Sequence, residues 1–326
     1  MLELPRQVYI EVTNRCNSRC ETCVRTFKPR EPERDLSLDE FRLILGQFPR
    51  LERAVLHGLG EPLLNPQLPE MIAHVKALQP QCRVLFNSNA VLLDEGWRQA
   101  LIGAGLDEYR ISLDAATAGM YARIRGVDAF DRVTENVRRF AQAIGEGNRP
   151  RLSLWFTAIK ENLGELPAVV DLAAAIGVRE VYVQRLVWTG RGLAQAEQAL
   201  FDKLQAEEHA ALAEAAARAA AHGLLFSASG LSSPEDSLRR QANLDRPWSA
   251  CQRPWMSTYI TVNGNVLRCC ISPFSARSYE ELILGNVFET PFEGIWNGPL
   301  YARLREALPT AEPWHPCEGC GAKWSL

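Results

Sequence analysis

Apolar residues recur along this chain in two alternating rhythms. Short apolar runs stand at 9–12, 54–57, 84–87, 109–113, 152–157 and 181–186. Between them, apolar positions return every three or four residues, first at Phe41, Ile44, Leu45 and Phe48, then over 68–78, 95–102, 130–144 and 166–176. The first rhythm predicts buried strands and the second amphipathic helices. Ser37 and Glu40 form a Ser-x-x-Glu capping box that marks the start of the first helix. The alternation predicts an α/β fold with a parallel sheet, because a parallel connection needs a crossover long enough to hold a helix.

After the sixth run the rhythm changes. Residues 192–222, rich in Ala, Leu, Glu and Gln, predict one long helix by propensity. The stretch 227–248 mixes Gly, Ser, Pro and charge and predicts a connecting loop. Beyond it, 257–262 and 265–270 predict two strands joined by Asn263-Gly264, a dipeptide that favours the type I′ turn of a tight hairpin. The expected organisation is a large unit over 1–225, a linker over 226–250 and a small unit over 251–326.

At 326 residues and 47% hydrophobic content the chain can bury a sizeable core. A formal charge of −3 with mixed signs gives no basic footprint for nucleic acid, and the basic run 25–30, broken by Thr26 and Phe27, reads as a solvated loop. No apolar run approaches the roughly 18 to 20 residues of a membrane span, and the N-terminus lacks a signal peptide's basic and apolar regions. These features predict a cytoplasmic protein without membrane or nucleic-acid partners. Nine cysteines in that reducing setting argue against a disulfide framework and for ligation of metal or clusters.

The densest cysteine group follows the first strand: Cys16, Cys20 and Cys23, in a C-x3-C-x2-C spacing. A structural zinc site or an ordinary iron–sulfur cluster wants four thiolates, so three leave one iron free for a non-protein ligand. In spacing and position this segment resembles the radical S-adenosylmethionine (radical SAM) superfamily. The resemblance implies a partial, six-stranded TIM-like (β/α)6 barrel with a [4Fe-4S] cluster on the three cysteines. Its fourth iron would bind S-adenosylmethionine (SAM), and chemistry in such barrels sits at the C-terminal strand ends. The later motif residues fall at those ends.

A second set comprises Cys251, Cys269, Cys317 and Cys320. From spacing alone four such thiols suit zinc or an iron–sulfur cluster equally. The pattern Cys251-x12-Gly264-x4-Cys269, then Leu284-Gly285-Asn286-Val287, Ile295-Trp296-Asn297 and Cys317-x2-Cys320, resembles the SPASM/twitch extension of radical SAM enzymes. Four ligands imply one auxiliary [4Fe-4S] cluster, the shorter twitch form, and two clusters per chain in all. Cys270 is left spare by the count from Gly264.

The resemblance also assigns the SAM contacts. Gly60 and Glu61, within Gly58-Leu59-Gly60-Glu61-Pro62, stand where the family has Gly-Gly-Glu-Pro and would meet the SAM amino group; Leu59 replaces the first glycine. Asn89, Ser112 and Asp114 resemble residues facing the ribose or carboxylate, with Ala90 where a glycine often follows, and Arg125 is a candidate carboxylate contact. Thr22 stands where an aromatic residue often packs near adenine. Cys82 reads as a packed thiol, His57 as a hydrogen-bonded core histidine, and Gln184, Arg185 and Trp188 as residues that could face substrate.

The implied activity is reductive cleavage of SAM to a 5′-deoxyadenosyl radical that removes a substrate hydrogen, with electrons from a flavodoxin- or ferredoxin-type reductant. The favoured expectation is oxidation of a small molecule (an aminocyclitol, sugar or nucleoside), with the auxiliary cluster accepting an electron. The alternative is a ribosomal-peptide or protein maturase that forms a crosslink or epimerises a residue. From another class stands a non-catalytic iron–sulfur electron carrier.

Overall fold

The structure, a computed structural model, describes residues 2–145, 149–228, 233–239, 246, 248–249, 251–274, 279–314 and 317. Its parallel strands are β1 (Gln7–Ile10), β2 (Arg53–Val55), β3 (Arg83–Ser88), β4 (Glu108–Ser112), β5 (Arg151–Ala158), β6 (Glu180–Arg185) and β7 (Leu225–Ala228). The helices between them are α1 (Val24–Phe27), α2 (Leu38–Leu45), α3 (Leu68–Leu78), α4 (Glu95–Gly103), α5 (Ala118–Arg125), α6 (Phe130–Ile144), α7 (Leu166–Ala175) and α8 (Ala206–His222). The alternation expected from the apolar rhythm is therefore present, with the Ser37–Glu40 capping box formed at α2. Strands alternate in facing. Val8, Ile10, Val84, Phe86, Tyr109, Ile111, Leu154 and Phe156 bury against the helices, while Tyr9, Arg110, Trp155 and Tyr182 alternate with them on the inner face.

Three differences from the sequence reading bear on the site. The long helix is shorter at its start: only 206–222 is helical, because the Leu193 N–H leaves to donate to the Glu21 carbonyl at 2.8 Å, laying this segment over the cysteine loop. Residues 225–228, partly inside the expected linker, pair with β6 as a seventh strand. Helix α5 goes unread by periodicity, yet its end supports the cysteine loop.

The C-terminal region adds α9 (Pro234–Ser237), α10 (Arg253–Met256), β8 (Ser257–Ile260), β9 (Asn265–Leu267), β10 (Ile283–Asn286), α11 (Phe292–Trp296) and α12 (Pro299–Ala307). β8 pairs parallel with β1 over all four residues, so among the described residues a single ten-stranded sheet runs β10-β9-β8-β1-β2-β3-β4-β5-β6-β7. The small unit thus continues the barrel sheet. The hairpin forms where expected, but its turn is of another type. Gly264 has φ +83° while Asn263 does not share the left-handed region, and the Gly264 N–H donates to the Thr261 carbonyl at 2.9 Å. That is a three-residue loop ending in a left-handed glycine, not a type I′ turn.

Candidate active site

The cysteine loop hangs between strand β1 and helix α5. The Arg19 N–H donates to the Arg125 carbonyl at 3.2 Å and the Glu21 N–H to the Ile124 carbonyl at 2.8 Å, satisfying carbonyls at the end of α5. The Arg25 guanidinium donates back to the Asn14 carbonyl at 2.7 Å and the Thr26 hydroxyl to the Cys20 carbonyl at 2.9 Å. Cys16, Cys20 and Cys23 are held half-buried at the barrel's C-terminal end. Burial pushes their thiols up, Cys16 to about 12 and Cys23 to about 11, so cationic iron is needed to hold them as thiolates. Among the described residues no three His, Cys, Asp or Glu side chains converge as one ion's ligands would. A four-iron cluster asks for thiols spread over separate irons, which one encircling loop supplies.

Glu61 lies next to this loop. Its N–H donates to the Arg15 carbonyl at 2.8 Å, and a side chain at Gly60 would meet the Thr13 carbonyl oxygen at 2.2 Å, so only glycine permits this approach. The Glu61 carboxylate accepts from the Ser88 hydroxyl at 2.6 Å and the Asn89 N–H at 2.7 Å; burial nevertheless pushes it up to about 6. The Asn89 amide donates to Asn17 at 2.7 Å and to Ser18 at 3.0 Å, tying β3 to the cysteine loop. Ala90 adopts φ +57°, the left-handed conformation that accounts for a glycine being common at this position. The structure therefore brings Gly60, Glu61 and Asn89 together at the loop.

Asp114 and Arg125 occupy the same end of the barrel from β4 and α5. Their ion pair, 2.7 Å long, is buried on both sides, and a second Arg125 nitrogen lies 3.8 Å from the Cys20 sulfur. Asp114 also accepts from the Thr157 N–H at 2.7 Å. The carboxylate that Arg125 meets in this structure is thus the chain's own, and its guanidinium faces the cysteine expected to carry iron. Ser112 ends β4 beside Trp155 of β5 on the inner face. There the Trp155 ring stacks on Tyr182, centroids 3.9 Å apart, and the Arg110 guanidinium lies 4.2 Å from the Trp155 ring. His57 accepts the Asn87 N–H on Nδ1 at 3.0 Å, as a hydrogen-bonded histidine should, and Cys82 is packed in the core.

The second set gathers beyond the hairpin. Burial, then the nearby Cys269, push the Cys251 thiol up, and Cys251 shares an apolar cluster with Trp248 and Leu308, against which Cys317 packs. The Arg268 guanidinium, 3.7 Å from the Trp314 ring, reaches toward Cys317. Cys270 meets Tyr9 and Arg253, and Arg253 also meets Cys251. Cys320 lies outside the described residues.

Residues 10–173, just over half of the chain, match the model of the radical SAM superfamily. The chain belongs to that superfamily. Residues 251–321 match SPASM, an iron–sulfur cluster-binding domain. The radical SAM domain implies a [4Fe-4S] cluster with SAM, and the SPASM domain implies auxiliary cluster binding. The PqqA peptide cyclase of Gluconobacter oxydans is 26% identical over 324 residues, covering 98% of this chain and 84% of that one. In fold, Streptococcus suis SuiB bound to S-adenosylmethionine superposes with a TM-score of 0.70 at 17% identity, over 99% of this radical SAM chain and 72% of SuiB. BtrN in complex with AdoMet and 2-DOIA superposes with a TM-score of 0.51 at 16% identity, over 95% of this chain and 89% of BtrN. No helix among the described residues is long and apolar enough to cross a membrane.

Two site residues escaped sequence reasoning. Glu11 and Tyr259 meet behind the Gly58–Pro62 loop. Only the polar phase of the 9–12 strand pattern hinted at the first.

Proposed function

We propose that this chain is a peptide-modifying radical SAM maturase, forming a crosslink or inverting a residue in a ribosomally made peptide. The observation that carries this reading is the match to the PqqA peptide cyclase, which runs through both cysteine regions over 98% of the chain. The likeness in fold to SuiB bound to the precursor peptide SuiA, with a TM-score of 0.68, is in keeping with it. The small-molecule oxidation expected from sequence takes second place. The resemblance to BtrN is the specific observation that keeps it in view.

In this reading Cys16, Cys20 and Cys23 hold the radical-site cluster, and Cys251, Cys269, Cys317 and Cys320 hold one auxiliary cluster. Gly60, Glu61, Asn89, Ser112, Asp114 and Arg125 form the wall against which SAM lies. Bound together, the cluster and SAM supply a radical able to abstract hydrogen from an unactivated carbon. Glu61, braced by Ser88 and Asn89, offers a fixed anionic oxygen to the SAM ammonium. Arg125 holds positive charge against Cys20, favouring its thiolate. The Trp155–Tyr182 stack, flanked by Arg110, gives the inner wall a flat surface for a substrate side chain. A flavodoxin- or ferredoxin-type protein of the cytoplasm is the reductant of this reading.

The test is to incubate the reconstituted enzyme, SAM and reductant with short peptides encoded beside its gene, and in parallel with aminocyclitols and sugar alcohols. A peptide that loses two hydrogens in a mapped crosslink, or takes up solvent deuterium at one residue, is the expected result. Oxidation of the alcohols with every peptide left unchanged would replace this reading by the second one.

A further inference from the structure

Glu11 follows directly on β1 and is 3% exposed. One of its carboxylate oxygens accepts the Leu59 N–H at 2.7 Å and the Tyr259 hydroxyl at 3.0 Å; the other accepts the Val262 N–H at 3.2 Å. Leu59 belongs to the Gly58–Pro62 loop that carries Glu61. Tyr259 and Val262 belong to the hairpin that carries Cys269. One buried carboxylate is therefore shared by the segments that serve two different cofactor sites. Room for it comes from Gly58, where a side chain would lie 2.2 Å from both the Glu11 oxygen and the Tyr259 hydroxyl.

Holding the hairpin in place does not require this carboxylate. The β1–β8 ladder already does so, and the Glu11 N–H adds a bond to the Ile260 carbonyl at 2.9 Å. A buried carboxylate is costly to desolvate, and an apolar side chain would fill the space at lower cost. What an apolar group cannot do is receive donors from two segments at once. Leu59 and Tyr259 bond the same oxygen, so a shift in one loosens the other.

From Tyr259 the contact continues toward the second thiol set. Tyr259 stacks on Tyr9 with ring centroids 6.4 Å apart, Tyr9 meets the Cys270 thiol, and Cys270 is the neighbour of Cys269. By register Tyr259 also stands opposite Leu267, two residues before Cys269. We propose that Glu11 is a positioning residue coupling the two sites, so that SAM affinity and the potential of the auxiliary cluster depend on one another through its carboxylate. Such coupling is reciprocal.

The experiment uses the fully reconstituted holoenzyme with S-adenosylhomocysteine as an uncleaved probe. Its affinity is measured with the auxiliary cluster oxidised and reduced, and the auxiliary potential with and without it by redox titration followed by electron paramagnetic resonance. The expected coupling is about tenfold in affinity, equivalent to a shift of about 59 mV in a one-electron potential. In Glu11→Gln the amide turns a donor toward the Leu59, Tyr259 or Val262 donors, and both effects should shrink to about twofold or less. Glu11→Asp, which keeps a carboxylate, should recover part of the coupling. Tyr259→Phe removes one of the three bonds without touching the carboxylate, and should weaken the coupling even if Glu11→Gln fails to load its clusters. A parent enzyme whose auxiliary potential ignores the probe overturns the proposal. So does a Glu11→Gln enzyme, with both clusters intact, that keeps the full shift.

Discussion

The Arg125 guanidinium and the Asp114 carboxylate lie 2.7 Å apart with both side chains withdrawn from water. Removing one member of such a pair strands the other as a buried charge, which costs about 3–5 kcal/mol. Arg125→Ala should therefore lower the melting temperature more than any exposed arginine substitution, such as Arg83→Ala. Because Arg125 also faces Cys20, its loss should reduce the iron retained at the first site. In the cluster-loaded protein Asp114→Asn should cost less, since Arg125 then keeps the iron-bound Cys20 thiolate as a neighbour.

Replacing Cys16, Cys20 and Cys23 together by alanine should remove about half of the iron of the fully reconstituted protein, together with all SAM cleavage. Iron and sulfide analysis and chromatography of 5′-deoxyadenosine check the two outcomes separately. A triple variant that still cleaves SAM would mean that the open-iron site lies elsewhere.

Cys269 and Cys270 lie just beyond the end of β9, with Cys269 near Cys251 and Cys270 meeting Tyr9 and Arg253. Cys269→Ala should lose the auxiliary cluster, seen as a drop in iron and in the absorbance of the oxidised protein. Cys270→Ala should keep it. The reverse pattern would require the hairpin to be shifted by one residue.

His57 provides a pH signature. Burial, followed by the charges of Arg110 and Arg53, lowers its pKa from the usual value to about 3, so the folded protein holds it neutral. An unfolded chain protonates the same ring near pH 6.5. The stability contributed by this neutral form is complete above about pH 6.5 and is lost progressively as the pH falls toward 3. Parent and His57→Gln should accordingly converge in melting temperature, or cross, as the pH drops from about 7.5 to 5. A constant difference across that range would show that the ring takes up its proton at the same pH in the folded and unfolded chain.

Much of this architecture was legible because parallel strands covered by helices read as short apolar runs, and the helices between them keep a clear apolar face. Helix α5 was not: only Tyr121, Ile124 and Arg125 of its eight residues are buried, and the remaining signals were a Thr117 cap and a left-handed Gly126. The cysteine loop announces itself by residue type and spacing, and the structure gathers Glu61 and Asn89 beside it. Glu11 could not be found in the same way. In sequence it is one polar residue in an alternating strand, and its meaning depends on the pairing of β1 with β8, two segments about 250 residues apart. Pairings of that length leave no local trace.

The position of β1 sets an order on synthesis. Its neighbours are β2 and β8, so one flank of the first strand to leave the ribosome stays open until residues 257–260 have followed it. During that interval the sheet exposes an edge at what will be its interior, the kind of edge that invites wrong pairing. A chain cut between the two units is thus not a radical SAM barrel with one cluster fewer. It is an unfinished sheet, and the part left unfinished is the strand from which the Cys16–Cys23 loop hangs.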